Sequence, residues 1–247
     1  MSEQLILRCE NSLEGIFSAV SDAFEHKERL GKPYTDSISI IIGDDGEVSG
    51  EEQMVTADAG KVEKLVRAIQ SKLGFSAYDS ILRALCHYDR DRATVTFGYL
   101  VRAFAKGSSI PYETDSRMLK VVEMSRRVEI ELNKLYGFLN FRQNKDILLA
   151  EIEPKCNLIP LMMDHFADRF YNEDFLIFDT KRKSMLMHEA FQPCVVFAGV
   201  DLPSVDEGED YYQNLWKQCS LSPEMKTRNG QQSSSSLLPS WYRIYMP

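Results

Sequence analysis

No stretch of this 247-residue chain comes near the roughly 20 consecutive apolar residues that a membrane-spanning helix needs. The most apolar short stretches, such as Ile38–Gly43 and Val195–Gly199, have the length of strands, so no membrane partner is expected. The opening Met-Ser-Glu-Gln-Leu-Ile-Leu-Arg lacks a basic segment followed by an apolar core and a small-residue cleavage site, which predicts an unexported, cytoplasmic protein. Cysteine is sparse: Cys9, Cys86, Cys156, Cys194 and Cys219 are odd in number and widely scattered. No two have the spacing of a zinc knuckle, a redox CxxC or an iron–sulfur cluster, so no metal is expected and free thiols in a reducing compartment are. The glycine-rich phosphate loops GxGxxG and GxxxxGK[ST] are missing, as is the GxSxG elbow of a serine hydrolase. Nothing in the residues therefore calls for a bound cofactor.

What is present is an ordinary globular composition, 44% apolar and 27% charged, long enough to bury a full core. The formal charge of −8 argues against a nucleic-acid binder when taken whole, but it is unevenly spread. Residues 1–60 carry 4 Lys/Arg against 13 Asp/Glu, whereas residues 61–200 carry 21 against 18. An acidic protein can therefore still present a basic face.

Periodicity predicts an α+β fold. Leu5–Cys9 reads as a strand, residues 12–27 as an amphipathic helix behind a capping box at Asn11–Glu14, and Ser37–Gly43 as a second strand. The acidic stretch Asp44–Glu52 reads as a loop. Apolar stripes then predict helices through Val62–Leu73, Ile81–Leu85 and Phe97–Phe104, and a long one over residues 116–136. Beyond Gly137 the period changes. Phe138–Arg142 with Ile147–Glu153, and Phe175–Asp179 with Ser184–His188, read as two hairpins of an antiparallel sheet. The helix 157–170 packs on that sheet, and Val195–Ala198 adds a strand. An acidic loop and a short helix carrying Tyr211, Leu215 and Trp216 precede a serine-rich stretch and an aromatic end, Leu237–Pro247. The expected organisation is one body over residues 1–247, with a strand-and-helix part to residue 112 and the long helix plus sheet from 113.

Two constellations bear on chemistry. Met163–Phe170 places His165 and Arg169 four apart, and Asp168 three from His165, on one helical face. His165 beside Asp168 can do acid–base work, with Arg169 as a phosphate binder, or the three can simply pack and neutralise one another. The second is basic: Arg126 and Arg127 on the long helix, Arg142 by the first hairpin, and Arg169. Phe138 lies nearby in sequence, and Trp241 and Arg243 belong to the aromatic end. Together they suit a groove that tracks a phosphate backbone and stacks bases. The alternative is a solvated helix face, since Glu123 stands four residues from Arg127 as an ordinary helical pair.

The ordered motifs of the second half carry a resemblance. Lys134-Leu-Tyr-Gly-Phe-Leu-Asn-Phe-Arg142, Glu153-Pro-Lys-Cys-Asn157, His165-Phe-Ala-Asp-Arg169, Leu215-Trp216, Arg228-Asn229 and Leu238-Pro-Ser-Trp-Tyr-Arg243 resemble a bacterial family of unknown function associated with DNA metabolism and DNA repair. The likeness covers nearly the whole chain, most clearly from about residue 85. Members of that family are encoded beside a radical-SAM protein assigned to DNA repair, and the domain also occurs fused to uracil-DNA-glycosylase-like domains. The resemblance implies an accessory DNA-repair protein that binds single- or double-stranded DNA or a repair enzyme, with the radical-SAM protein as partner. It supplies no catalytic residues. An enzyme acting on a nucleotide or nucleic acid through His165, and a purely protein-binding subunit, stay open beside it.

Overall fold

The computed structural model describes residues 5–30, 37–43, 50–106, 116–200 and 208–221, and the chain divides into two compact units, Met1–Glu129 and Ile130–Pro247. In the first, strand β1 (Leu5–Cys9) leads through helix α1 (Leu13–Leu30) to strand β2 (Ile38–Ile42), and the strands pair in parallel. Parallel neighbours need a crossover of about a dozen residues or more, which α1 supplies. This is the expected strand–helix–strand unit. Ser12, rather than Asn11, caps α1: its Oγ accepts the Gly15 N–H at 2.9 Å.

A third strand, β3 (Glu51–Val55), lies parallel to β1 on its other side, giving the order β2-β1-β3. Here the sequence reading is corrected, because Glu51 and Glu52 belong to a strand and not to a loop. All but Val55 of β3 are exposed, so the strand carries no apolar alternation to betray it. It is held by backbone pairing and by an ion pair from Arg8 on the central strand to Glu52.

Helices α2 (Ala59–Leu73), α3 (Phe75–Cys86) and α4 (Arg92–Lys106) complete the cover. Asp58 caps α2, and Gly74 ends it at φ +87°, a backbone that side-chain-bearing residues rarely adopt. Ile6, Leu7, Ile16, Ile69, Leu82 and Phe97 are among the fully buried residues. Thr94 on α4 reaches the outer edge of β2: its Oγ1 accepts the Ile40 N–H at 2.8 Å and donates to the Ile40 carbonyl at 3.1 Å. Helix α5 (Ser116–Phe138) follows, burying Met118, Val121, Ser125, Val128 and Leu132 as the stripe predicts.

In the second unit, β4 (Arg142–Asn144) and β5 (Ile147–Ile152) form a tight hairpin with Lys145 at φ +53° in its turn. The sequence reading placed the first of these strands at 138–142. Instead the helical ladder of α5 continues, with the Leu139 N–H donating to the Leu135 carbonyl at 2.9 Å, so pairing starts later. Helix α6 (Ile159–Arg169) then carries the chain to a second hairpin, β6 (Asp174–Asp179) and β7 (Ser184–His188), and β8 (Val195–Ala198) closes the sheet. The order is β4-β5-β6-β7-β8. Only β5 and β6 are parallel among these pairs, because α6 returns the chain to the starting end of the sheet.

Pro160 sits in the first turn of α6, as expected. Helix α7 (Gly208–Ser220) closes a cluster in which Tyr212 and Cys219 join Leu149, Leu176, Phe178, Met185 and Met187. All five cysteines are buried, and none is joined in a disulfide. Among the described residues no helix is long and apolar enough to cross a membrane.

Candidate nucleic-acid interface

The last turn of α5 and the length of α6 are joined by three contacts that centre on Tyr136. Its ring stacks on His165 with centroids 3.8 Å apart, and its hydroxyl donates to the Leu161 carbonyl at 2.8 Å. Its own carbonyl accepts from Arg169 Nη1 at 3.1 Å. Arg169 is thus spent partly on a helix C-terminus, where a cation is favoured, and its guanidinium also lies over the Phe170 ring. Next to this junction Phe141 meets Phe166, Phe170 and Phe175 edge-on, and His188 stacks on Phe175.

Three large rings stand outside that core. Phe138, two residues past Tyr136, is 80% exposed. Tyr171, two residues past Arg169, is 57% exposed and meets Phe191 edge-on at 5.2 Å. Phe191 is 61% exposed and held at φ +65° while its N–H donates to the Tyr171 carbonyl at 2.7 Å. A bulky residue in the left-handed region is an outlier that costs free energy, and such strain concentrates at functional surfaces.

His165 is half-buried, and burial followed by the Arg169 charge lowers its pKa below the usual histidine value, against the opposing pull of Asp168. Its Nε2 has no hydrogen-bond partner among the described residues, and Asp168 is exposed. Its setting is a ring stack, with Asp168 acting on it only through charge.

Arg126 is exposed on α5, and Arg127 is tied to Glu123 and to the Tyr88 hydroxyl. Arg142 binds Glu151 and the Tyr212 hydroxyl, both at 2.7 Å, and lies over the Tyr212 ring. Trp241 and Arg243 lie outside the described residues. Among the described residues no three His, Cys, Asp or Glu side chains converge as a metal site requires.

Residues 90–247 match DUF4130, a domain of unknown function. The chain belongs to that family. No curated protein matches it. For this DUF4130 chain the fold explains one of its motifs as architecture. Glu131 on α5 accepts the N–H groups of Lys155 and Cys156 at 2.8 and 3.0 Å, which holds its carboxyl below the usual range against the cost of burial. From the other side, Arg182 donates to the carbonyls of Pro154 and Lys155. The Glu153–Asn157 segment is therefore clamped between a carboxylate and a guanidinium. Sequence reasoning missed Phe191 altogether; its one signal is a lone aromatic in the polar loop before Pro193.

Proposed function

We propose that this protein is an accessory factor of DNA repair or DNA metabolism that holds single-stranded nucleic acid on the rings flanking the Arg169–Tyr136 junction. In this reading it works beside a radical-SAM repair enzyme, as the resemblance of its motifs implies. The observation that carries the proposal is the exposure of Phe138, two residues past the Tyr136 carbonyl that Arg169 binds, and of the Tyr171–Phe191 ring pair, with Phe191 held in a strained conformation. Base–ring stacking tolerates any sequence and contributes about 1–3 kcal/mol per base. Asp168 and Glu173 also lie at this end of α6, so stacking, more than phosphate charge, should dominate the affinity. Of the basic residues singled out from sequence in this unit, Arg142 already has a carboxylate partner, which leaves Arg169 the better placed to meet phosphate beside these rings.

Fluorescence anisotropy with short single- and double-stranded DNA at two salt concentrations tests this. Binding is expected to favour the single strand and to weaken only modestly with salt. Phe138→Ala and Phe191→Ala should each lower affinity roughly 5- to 100-fold, in line with the loss of one stacked base. A double variant that binds like the parent would sink the stacking proposal. The protein-docking alternative has one observation of its own, the exposure of Leu119, Val122 and Ile130 along α5. An absence of DNA binding by the parent protein would favour it.

A further inference from the structure

The first unit contains a cavity of about 560 Å³ along the outer edge of β2, lined also by Asn11, which follows β1. Its size falls within the roughly 300–1,000 Å³ of small-molecule sites. One wall is the outer edge of β2. N–H and C=O groups alternate sides along a strand, so Ile42 presents its pair to the same outward side as Ile40, whose own are taken by Thr94. Ile42 thus offers one backbone donor and one acceptor side by side.

The facing wall comes from the segment between α3 and α4. Tyr88 is half-exposed into the cavity, and its ring is fixed by stacking on His87 at 4.1 Å and by the Arg127 hydrogen bond to its hydroxyl at 3.3 Å. Arg90 and Arg92 add two positive charges against the single negative charge of Asp91, and Lys120 lies 4.0 Å from that carboxylate. Arg92 is locked in place by bonds to the carbonyls of Leu85 and Asp89 and to Asn11 Oδ1, at 2.9, 3.1 and 2.7 Å. Its charge is therefore preorganised. Asn11 and Asp91 add polar groups to the lining.

We propose that this cavity binds a nucleoside 5′-phosphate. The base stacks on Tyr88 and pairs its edge with the N–H and C=O of Ile42, the sugar hydroxyls meet Asn11 and Asp91, and the phosphate lies against Arg90 and Arg92. The site is distinct from the rings around Arg169, and neither proposal depends on the other.

The test is isothermal titration of the full chain with AMP, CMP, GMP and UMP, and with adenosine and inorganic phosphate as the two halves of the ligand. At least one monophosphate is expected to bind with Kd well below about 1 mM, and adenosine and phosphate at least about tenfold more weakly. Arg90→Gln and Tyr88→Leu should each weaken that binding by about tenfold or more while leaving single-stranded DNA affinity unchanged. Arg90 is exposed, so its loss should not unfold the chain. No monophosphate binding, or binding that survives both substitutions, would overturn the assignment. Loss of DNA binding alone would leave it standing.

Discussion

Arg182→Ala should be among the most damaging single changes in the second unit, although the residue sits in a hairpin turn. Asp179 is 1% exposed and accepts the N–H groups of Lys181 and Arg182 on Oδ1, both at 3.1 Å. Its other oxygen is met by Arg182 Nη1 at 2.8 Å. The same guanidinium serves the carbonyls of Pro154 and Lys155, so it ties the β6–β7 turn to the segment between β5 and α6. Removing one partner of a buried pair costs about 3–5 kcal/mol, because the remaining charge stays buried without compensation. Two effects move the value to the low end. The backbone donors remain on Oδ1, and water can reach the vacated space because the Arg182 side chain is 20% exposed. A loss of about 3 kcal/mol follows, equivalent to a fall of roughly 10 °C in the midpoint of a unit this size. Trp216 packs against the core of the second unit, so urea unfolding followed by indole fluorescence reports on the right half of the chain. Arg182→Lys, which keeps the charge but not the planar fork, should lose less. A measured loss below about 0.5 kcal/mol for the alanine variant would refute the argument that Arg182 balances Asp179.

Two further perturbations follow from buried or stacked ionisable groups. Burial, opposed by its own backbone N–H and reinforced by Glu10, pushes the Glu14 carboxyl up to about 7. Its folded pKa lies above the unfolded value, so the fold holds the proton more tightly and stability falls as pH rises from about 4.5 through 7. Glu14→Gln should flatten that slope and stabilise the protein at pH 8 by about 2 kcal/mol, a figure reduced from the full shift because the side chain is partly exposed; an unchanged slope in urea titrations by circular dichroism at pH 5 and 8 would count against it. His165→Phe should keep the stack on Tyr136 and remove the unpartnered Nε2, leaving thermal stability equal to or slightly above the parent, whereas His165→Ala should cost about 1–2 kcal/mol. A pH-dependent turnover of a nucleic-acid substrate that His165→Phe abolishes would instead support the acid–base role.

The fold was legible where a side-chain pattern encodes it. Ile38–Ile42, with Ser39 as its one polar residue, and the apolar run Val195–Ala198 become strands, and the α5 stripe Met118–Leu132 is buried as its spacing requires. β3 was not legible, because Glu51–Met54 are exposed and the strand is defined by backbone pairing to β1, which leaves no trace in side-chain chemistry. The displaced start of β4 has a similar origin, since Phe138 and Leu139 suit a strand as well as a helix end and the ladder from Leu135 decides. At the candidate site, the Glu123–Arg127 pair is local and was readable as an i, i+4 spacing. The Tyr212 hydroxyl on Arg142 spans 70 residues, and nothing in the neighbourhood of either residue announces it. Phe191 was invisible for a different reason: its significance lies in a backbone angle, not in a pattern of residue types.

The packing of α4 has a consequence for what the family boundary means. The matched region starts at residue 90, within the first unit, so it includes α4 but none of β1–β3 and none of α1–α3. In the folded chain Ala93, Phe97, Leu100 and Ala103 are buried on α4, which packs on α1, α3 and β2. The stretch that sequence comparison delimits is therefore not a self-sufficient piece of this molecule. Cut at that line, the chain would carry a naked apolar helix at its front and would be prone to stick to itself or to a chaperone. Heredity, as the family match records it, and cooperativity, as the packing records it, divide this polypeptide at different places.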